Sequence, residues 1–162
     1  GNIKSSDIDI EDIAWSLSNL CRYNGHCDHF YSVAQHSVYV SYIAKDPKKG
    51  LLHDATECYV GDLVRPIKQR PEMVVYNELE EIVMKAISER FGIEGEMMDD
   101  ETKLADNIVL LSEKDQILSN SPDWGWGEDI PRMSFEIHPE TPEEARKSFL
   151  HRFGQLFPDE KI

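Results

Sequence analysis

The segment Leu51-Leu52-His53-Asp54-Ala55-Thr56-Glu57-Cys58-Tyr59-Val60-Gly61-Asp62 carries a helix pattern and an interruption of it. Leu51, Leu52 and Ala55 recur at helical spacing. Pro47 suits the first turn of that helix, where its missing N–H costs nothing. The spacing predicts a helix that starts at Pro47 and ends before Gly61. His53 and Asp54 fall inside the apolar pattern. A buried carboxylate without a partner is costly, so Asp54 needs one.

Working outward, two more helices are interrupted in the same way. A helix from about Tyr31 to Ala44 has Val33, Val40 and Ile43 on one stripe, and His36 sits between them. A helix from about Met97 to Leu118 holds Asp106 within Leu104 to Leu111, where apolar residues go all round, as in a buried helix. The rest is helical too. Ile10, Ile13, Ala14, Leu17 and Leu20 follow Asp9 as N-cap. Residues 22–30 have no period, contain Gly25 and read as a loop. Gly61 to Lys68 reads as a loop with a short helical turn. A helix from about Glu72 to Phe91 has the stripe Tyr76, Leu79, Val83, Ala86, Ile87 and Phe91, with Gly92 as its stop. Residues 120–140 are irregular, with Ser134 to His138 extended at best. Thr141-Pro142-Glu143-Glu144 is a capping box that opens a last helix through Leu156.

No alternating strand pattern of useful length appears, so the expected class is all-α: one compact multi-helix domain over residues 1–162. A chain of this length can bury roughly 68–70% of its unfolded surface and needs no disulfide to fold. Cys21, Cys27 and Cys58 are odd in number and form no C-x-x-C pair, which fits reduced thiols in a cytoplasmic setting. The longest aliphatic run, Ile108 to Leu111, is far short of the ~20 residues that span a bilayer. No signal segment opens the chain, and a start at Gly1 rather than Met suits a processed or trimmed end. No membrane partner is expected. The net charge of −14, from 31 acidic and 17 basic residues, repels a nucleic-acid polymer.

Taken singly, His36 reads as a satisfied core histidine, Asp106 as a cap or ion-pair partner, and His53-Asp54 as a weak dipeptide signal. As an ordered set on three helices, two imidazoles and two carboxylates can satisfy one another through a divalent metal. Such ligands suit Mn, Fe, Co, Ni or Zn.

The ordered set His36…His53-Asp54…Asp106 resembles the HD-domain metal-dependent phosphohydrolases. Arg22-Tyr23-Asn24-Gly25-His26, followed by Tyr31 to Val38, is similar to the first ligand region of their small nucleotide-hydrolysing branch. Leu51 to Asp62, then Pro66-Ile67-Lys68, is similar to the second. Phe149 to Phe153 also fits, so the likeness covers roughly residues 7–157. The 16 residues between His36 and His53 imply a trimmed inter-helix loop.

The resemblance implies a helical bundle around one metal site (Mn, Co, Zn, Fe, Ni or Mg), with His36, His53, Asp54 and Asp106 as ligands. It implies Glu57 as general acid/base, although spacing alone would read Glu57 as a solvated helix residue. Arg22 and Lys68 are the expected phosphate partners. Arg65 and Arg70 read more readily as surface charges. Tyr23 would stack on a base, or else be a core tyrosine, and Asp62 would accept from a sugar hydroxyl. Trp15, Trp124 and Trp126 are candidates to line the pocket or a lid; by default Trp15 is expected in the core, and Trp124 and Trp126 at a subunit interface or on a flexible loop. A homo-oligomer is expected.

The implied substrates are small nucleotides: deoxynucleoside 5′-monophosphates, or deoxynucleoside triphosphates as in small phage relatives that hydrolyse deoxyadenosine triphosphate. The alternative is an inactive nucleotide-binding or signalling domain. In either case a metal, Arg22 and Lys68 are expected to reverse the local sign of an acidic protein.

Overall fold

The computed structural model describes residues 3–160. Eight α-helical segments occur among them: α1 (Ile10–Asn19), α2 (Val33–Ile43), α3 (Pro47–Leu52), α4 (Glu57–Val60), α5 (Arg65–Lys68), α6 (Val74–Phe91), α7 (Asp100–Ile117) and α8 (Pro142–Leu156). Three 3-10 turns join them, at Ser5–Asp7, Arg22–Gly25 and Pro71–Met73. There is no strand among the described residues. The only ladder-like contact there is a single bridge between Cys21 and Ser32. The protein is an all-α bundle, as the hydrophobic periodicity predicts.

The helix starts are set by local chemistry. Asp9 accepts from the Glu11 amide, Ser32 from Gln35, Asp46 from Lys48 and Lys49, and Asp99 from Thr102. Each satisfies amides that have no partner inside the helix. Thr141 and Glu144 form the reciprocal box, with Pro142 in the first turn. Gly92 closes α6 at φ 63°, a left-handed conformation that glycine adopts without strain.

α2 lies at the centre, packed by α1, α3, α7 and α8. One apolar cluster joins Ile13, Leu17, Val33, Leu51, Ile87 and Phe149, all of them fully buried. A second joins Tyr31 and Val40 to Ala105, Val109 and Ile117 of α7, and to Met133 and Ile137 beyond it. The irregular segment after α7 is held by side chains instead of a ladder. Ser112 Oγ accepts from the Met133 amide at 2.8 Å, and Gln116 Oε1 from the Ile137 amide at 2.8 Å.

Several expectations need correction. The helix from Pro47 does not run on to Gly61: it stops at Leu52, and a turn through residues 53–56 separates it from α4. The helix expected from Met97 begins at Asp100, because Asp99 caps it. α6 buries Val83, Ala86, Ile87 and Phe91, but Leu79 is 51% exposed, so only the second half of the stripe meets the core. Trp15 is not core: it is 61% exposed, with Arg146 over its ring. Among the described residues no helix is long and apolar enough to cross a membrane.

Candidate metal centre

Three helical segments bring the interrupting residues together. α2 supplies His36, the turn after α3 supplies His53 and Asp54, and α7 supplies Asp106. The approach of α2 to α3 depends on Gly50. A Cβ at that position would lie 2.8 Å from Ala44 Cβ and 2.9 Å from Ser41 Cα. The three-residue link between α2 and α3 allows this packing, and it holds His53 against His36.

His36, His53 and Asp106 form a buried group whose donor atoms all lie within 4.8 Å of one another, and this group can hold a metal ion. His36 Nε2 is 3.3 Å from His53 Nε2 and 3.2 Å from Asp106 Oδ1. Asp54 Oδ2 is 3.1 Å from His53 Nε2 and 3.6 Å from His36 Nε2. Two nitrogens and two carboxylate oxygens therefore face one small volume.

The far side of each ring shows why a cation fits. His36 Nδ1 is 2.6 Å from Glu113 Oε1, and His53 Nδ1 is 2.8 Å from the Gly50 carbonyl. An ionised carboxylate and a carbonyl can only accept, so both Nδ1 atoms carry the proton. In the neutral rings both Nε2 lone pairs then point at each other and at carboxylate oxygens. A divalent ion relieves that repulsion. Outer-shell acceptors of this kind orient histidine ligands. A proton on His36 Nε2 relieves it in part. Burial and the Arg22 charge act to lower the His36 pKa, but Glu113 and Asp106 outweigh them and raise it to about 9.

Glu113 is the residue the sequence pattern did not single out. It is fully buried, and its two oxygens serve different neighbours. Oε1 accepts from His36 and from the Tyr31 hydroxyl at 2.7 Å. Oε2 accepts from the Tyr23 hydroxyl and from Arg22 Nη2 at 3.2 Å. Burial acts to raise its pKa, but Arg22, His36 and Tyr23 hold the carboxyl well below its usual range. One signal could have found it. Glu113 lies seven residues after Asp106, two turns along the same helix face, directly after Leu110-Leu111-Ser112.

Arg22 and Tyr23 are set by a strained loop. Tyr23 and Asn24 have φ of 53° and 50°, and Gly25 follows at 81°. Such conformations persist only where the surroundings over-determine them. Here Glu113 holds both side chains. Arg22 also reaches Asp54 at 3.5 Å, and its buried Nε has no partner. Tyr23 spends its hydroxyl on Glu113 and lies beneath the Arg22 guanidinium.

A cavity of about 860 Å³ opens above these residues. Glu57 lies in its wall, buried, with Oε2 unpartnered. Burial, with Asp54 and Asp62 near, pushes the Glu57 carboxyl well above the usual carboxylate range. Asp62 also lines the cavity, half-buried, and burial raises its pKa as well. Lys68 lines it too, but its Nζ is 2.7 Å from Glu80. Arg65 is exposed, with Nη2 3.6 Å from Asp106 Oδ2. Arg70 lies outside the lining and pairs with Glu72. Six acidic residues line the cavity against the three cations Arg22, Arg65 and Lys68, and even with Glu57 neutral the side chains alone leave the local sign negative. Trp124 and Trp126 line it as well.

No family model matches the chain. The chain is 39% identical over 158 residues to the uncharacterized protein YfdR of Escherichia coli strain K12, across 95% of this chain and 87% of that protein. It is 32% identical over 169 residues to an uncharacterized protein of Rhodobacter capsulatus, across 93% of this chain and 86% of that one. Neither relative's name states an activity.

Proposed function

The chain belongs to the family of Escherichia coli YfdR, and we propose that it is a metal-dependent phosphohydrolase of the HD type acting on small nucleotides. The observation that carries the proposal is the meeting of His36, His53 and Asp106, with Asp54 beside them, at the floor of a cavity of about 860 Å³.

In this proposal His36, His53, Asp54 and Asp106 hold one divalent ion. When bound, the ion supplies an acidified water and an electrophilic pull on a phosphoryl oxygen. The protein's own groups do the rest. Glu57, kept protonated by burial, hands its proton to the leaving oxygen and can take one back from water. Arg22 steadies Asp54 and offers its guanidinium at the cavity wall to a phosphoryl oxygen. Asp62 accepts from a sugar hydroxyl. Lys68 and Arg65 sit at the wall as point charges for the phosphate.

The charge balance bears on the substrate class. With Glu57 neutral and a divalent ion bound, five carboxylates in the lining face three cations and the ion, so no positive excess remains to offset a triphosphate and a lightly charged phosphate is admitted at less cost. A deoxynucleoside 5′-monophosphate is therefore the favoured substrate. The test is a panel of mono- and triphosphates with Mn, Co or Zn, resolved by chromatography. Release of inorganic phosphate and nucleoside from monophosphates is the expected result. Release of triphosphate from deoxynucleoside triphosphates reassigns the substrate class. A metal-loaded protein that hydrolyses neither is a binding domain, and the proposal then falls.

A further inference from the structure

The cavity lining joins two chemistries. His53, Asp54 and Asp106 belong to the candidate metal centre. Met84 from α6, Met98 ahead of α7, Leu110 from α7, and the indoles of Trp124 and Trp126 supply apolar wall. α7 connects the two. Asp106, Leu110 and Lys114 follow one another at four-residue steps, about 6 Å of rise each. The first points to the metal centre, the second lines the cavity, and the third places Nζ 5.7 Å from the Trp124 ring centre.

The segment that carries the indoles is fixed at its base. Gly127 has φ 82° and presses on α7 so closely that a Cβ there would lie 2.5 Å from Leu111 Cδ1. Arg132 pairs with Asp115 at 2.7 Å and donates to the Gly127 carbonyl at 3.1 Å. Gly125 is also left-handed, at φ 67°, and its amide donates to Asp123. The two rings lie nearly parallel, 18° apart, with centres 6.2 Å from each other. Trp126 remains 41% exposed. A large apolar ring held open to a cavity is a surface prepared for a flat ligand.

We infer that Trp124 and Trp126 form a subsite that takes the planar base of the nucleotide by stacking, in place of Tyr23. Tyr23 is already committed through its hydroxyl to Glu113 and through its ring to Arg22. Stacking reads a π face that every base has, so this subsite discriminates weakly among bases. The assignment rests on the phosphohydrolase reading for the ligand at the metal centre.

The chain has three tryptophans. A Trp15→Phe variant leaves Trp124 and Trp126 as the only indoles, which are excited selectively over tyrosine at long wavelength, and Trp15 lies outside the cavity lining. That variant, loaded with Mn, is titrated with deoxyadenosine 5′-monophosphate and separately with deoxyribose 5-phosphate, which has no base. The expected result is indole quenching by the nucleotide alone. Calorimetry should show Trp126→Ala binding the nucleotide about tenfold more weakly, with deoxyribose 5-phosphate binding unchanged. Equal affinity for the two ligands, or unchanged nucleotide affinity in both Trp124→Ala and Trp126→Ala, overturns the subsite. Quenching without any phosphate release sustains the subsite and removes the hydrolase reading. Phosphate release without quenching does the reverse.

Discussion

His36 Nδ1 donates to Glu113 Oε1 across 2.6 Å, and the other oxygen of the same carboxylate holds Arg22 and Tyr23. One buried residue thus connects the ring at the metal centre to the strained loop at the cavity wall. Glu113→Gln keeps the shape but puts a weaker acceptor behind His36. Metal affinity is expected to fall about 10- to 100-fold, read by competition with a chromogenic chelator. Unchanged affinity removes Glu113 from the centre.

His53→Ala and Asp106→Ala each remove a donor from the central group. Both should lose bound metal by elemental analysis, and activity with it. Glu57→Gln should behave differently, retaining metal while turnover falls about 100-fold or more, because the proposed reaction takes a proton from Glu57 and makes it no ligand. Metal retained by Asp106→Ala, or near-normal turnover in Glu57→Gln, contradicts the assigned roles.

Gly50→Ala tests the approach of α2 to α3. The added methyl meets Ala44 Cβ at 2.8 Å, Ser41 Cα at 2.9 Å and the Val40 carbonyl at 3.0 Å, and backbone cannot yield as a side chain end can. The expected loss is about 3 kcal/mol, roughly 6–12 °C in Tm for a chain of this size. A melting temperature within a degree of the parent would show that the two helices are not held this closely.

Alkaline pH should unfold the protein early. Burial raises the Tyr59 and Tyr76 phenols to about 12 and the Cys27 thiol to about 11, and it holds Tyr23 and Tyr31 well above their usual value. The folded state keeps these protons more tightly than the unfolded chain, where tyrosine ionises near ~10. Their contribution is full below the unfolded values and is lost as pH rises through the folded ones. Thermal melts should therefore fall from about pH 10 upward. Melting temperatures that stay level up to about pH 12 would contradict this.

The helices were legible where the signal is local. Asp9, Thr141-Pro142 and Gly92 act on amides and carbonyls a few bonds away, so their effect can be read along the chain, whereas the cap at Asp99 was missed and the start of α7 was set three residues early. The four interrupting residues were legible because a polar group on an apolar stripe is costly unless it is satisfied. Leu79 misled for the complementary reason. Helical spacing says which residues share a face, not whether another helix covers it, and the first half of α6 is left partly uncovered. The break at residues 53–56 was also hidden, since no glycine or proline marks it.

An all-α chain, the helix ends at Asp9, Gly92 and Thr141, and His36, His53, Asp54 and Asp106 as residues in need of partners can all be read from the order of the amino acids. These follow from period and burial cost, which are properties of single segments. Helix packing alone sets Glu113 behind His36, engages Arg22, Tyr23 and Lys68 with carboxylates, and brings Trp124 and Trp126 to the cavity wall. Each of these depends on a contact between segments distant in the chain: Arg22 with Glu113, Gly127 with Leu111. Such contacts depend on how the helices pack, and no single segment records it.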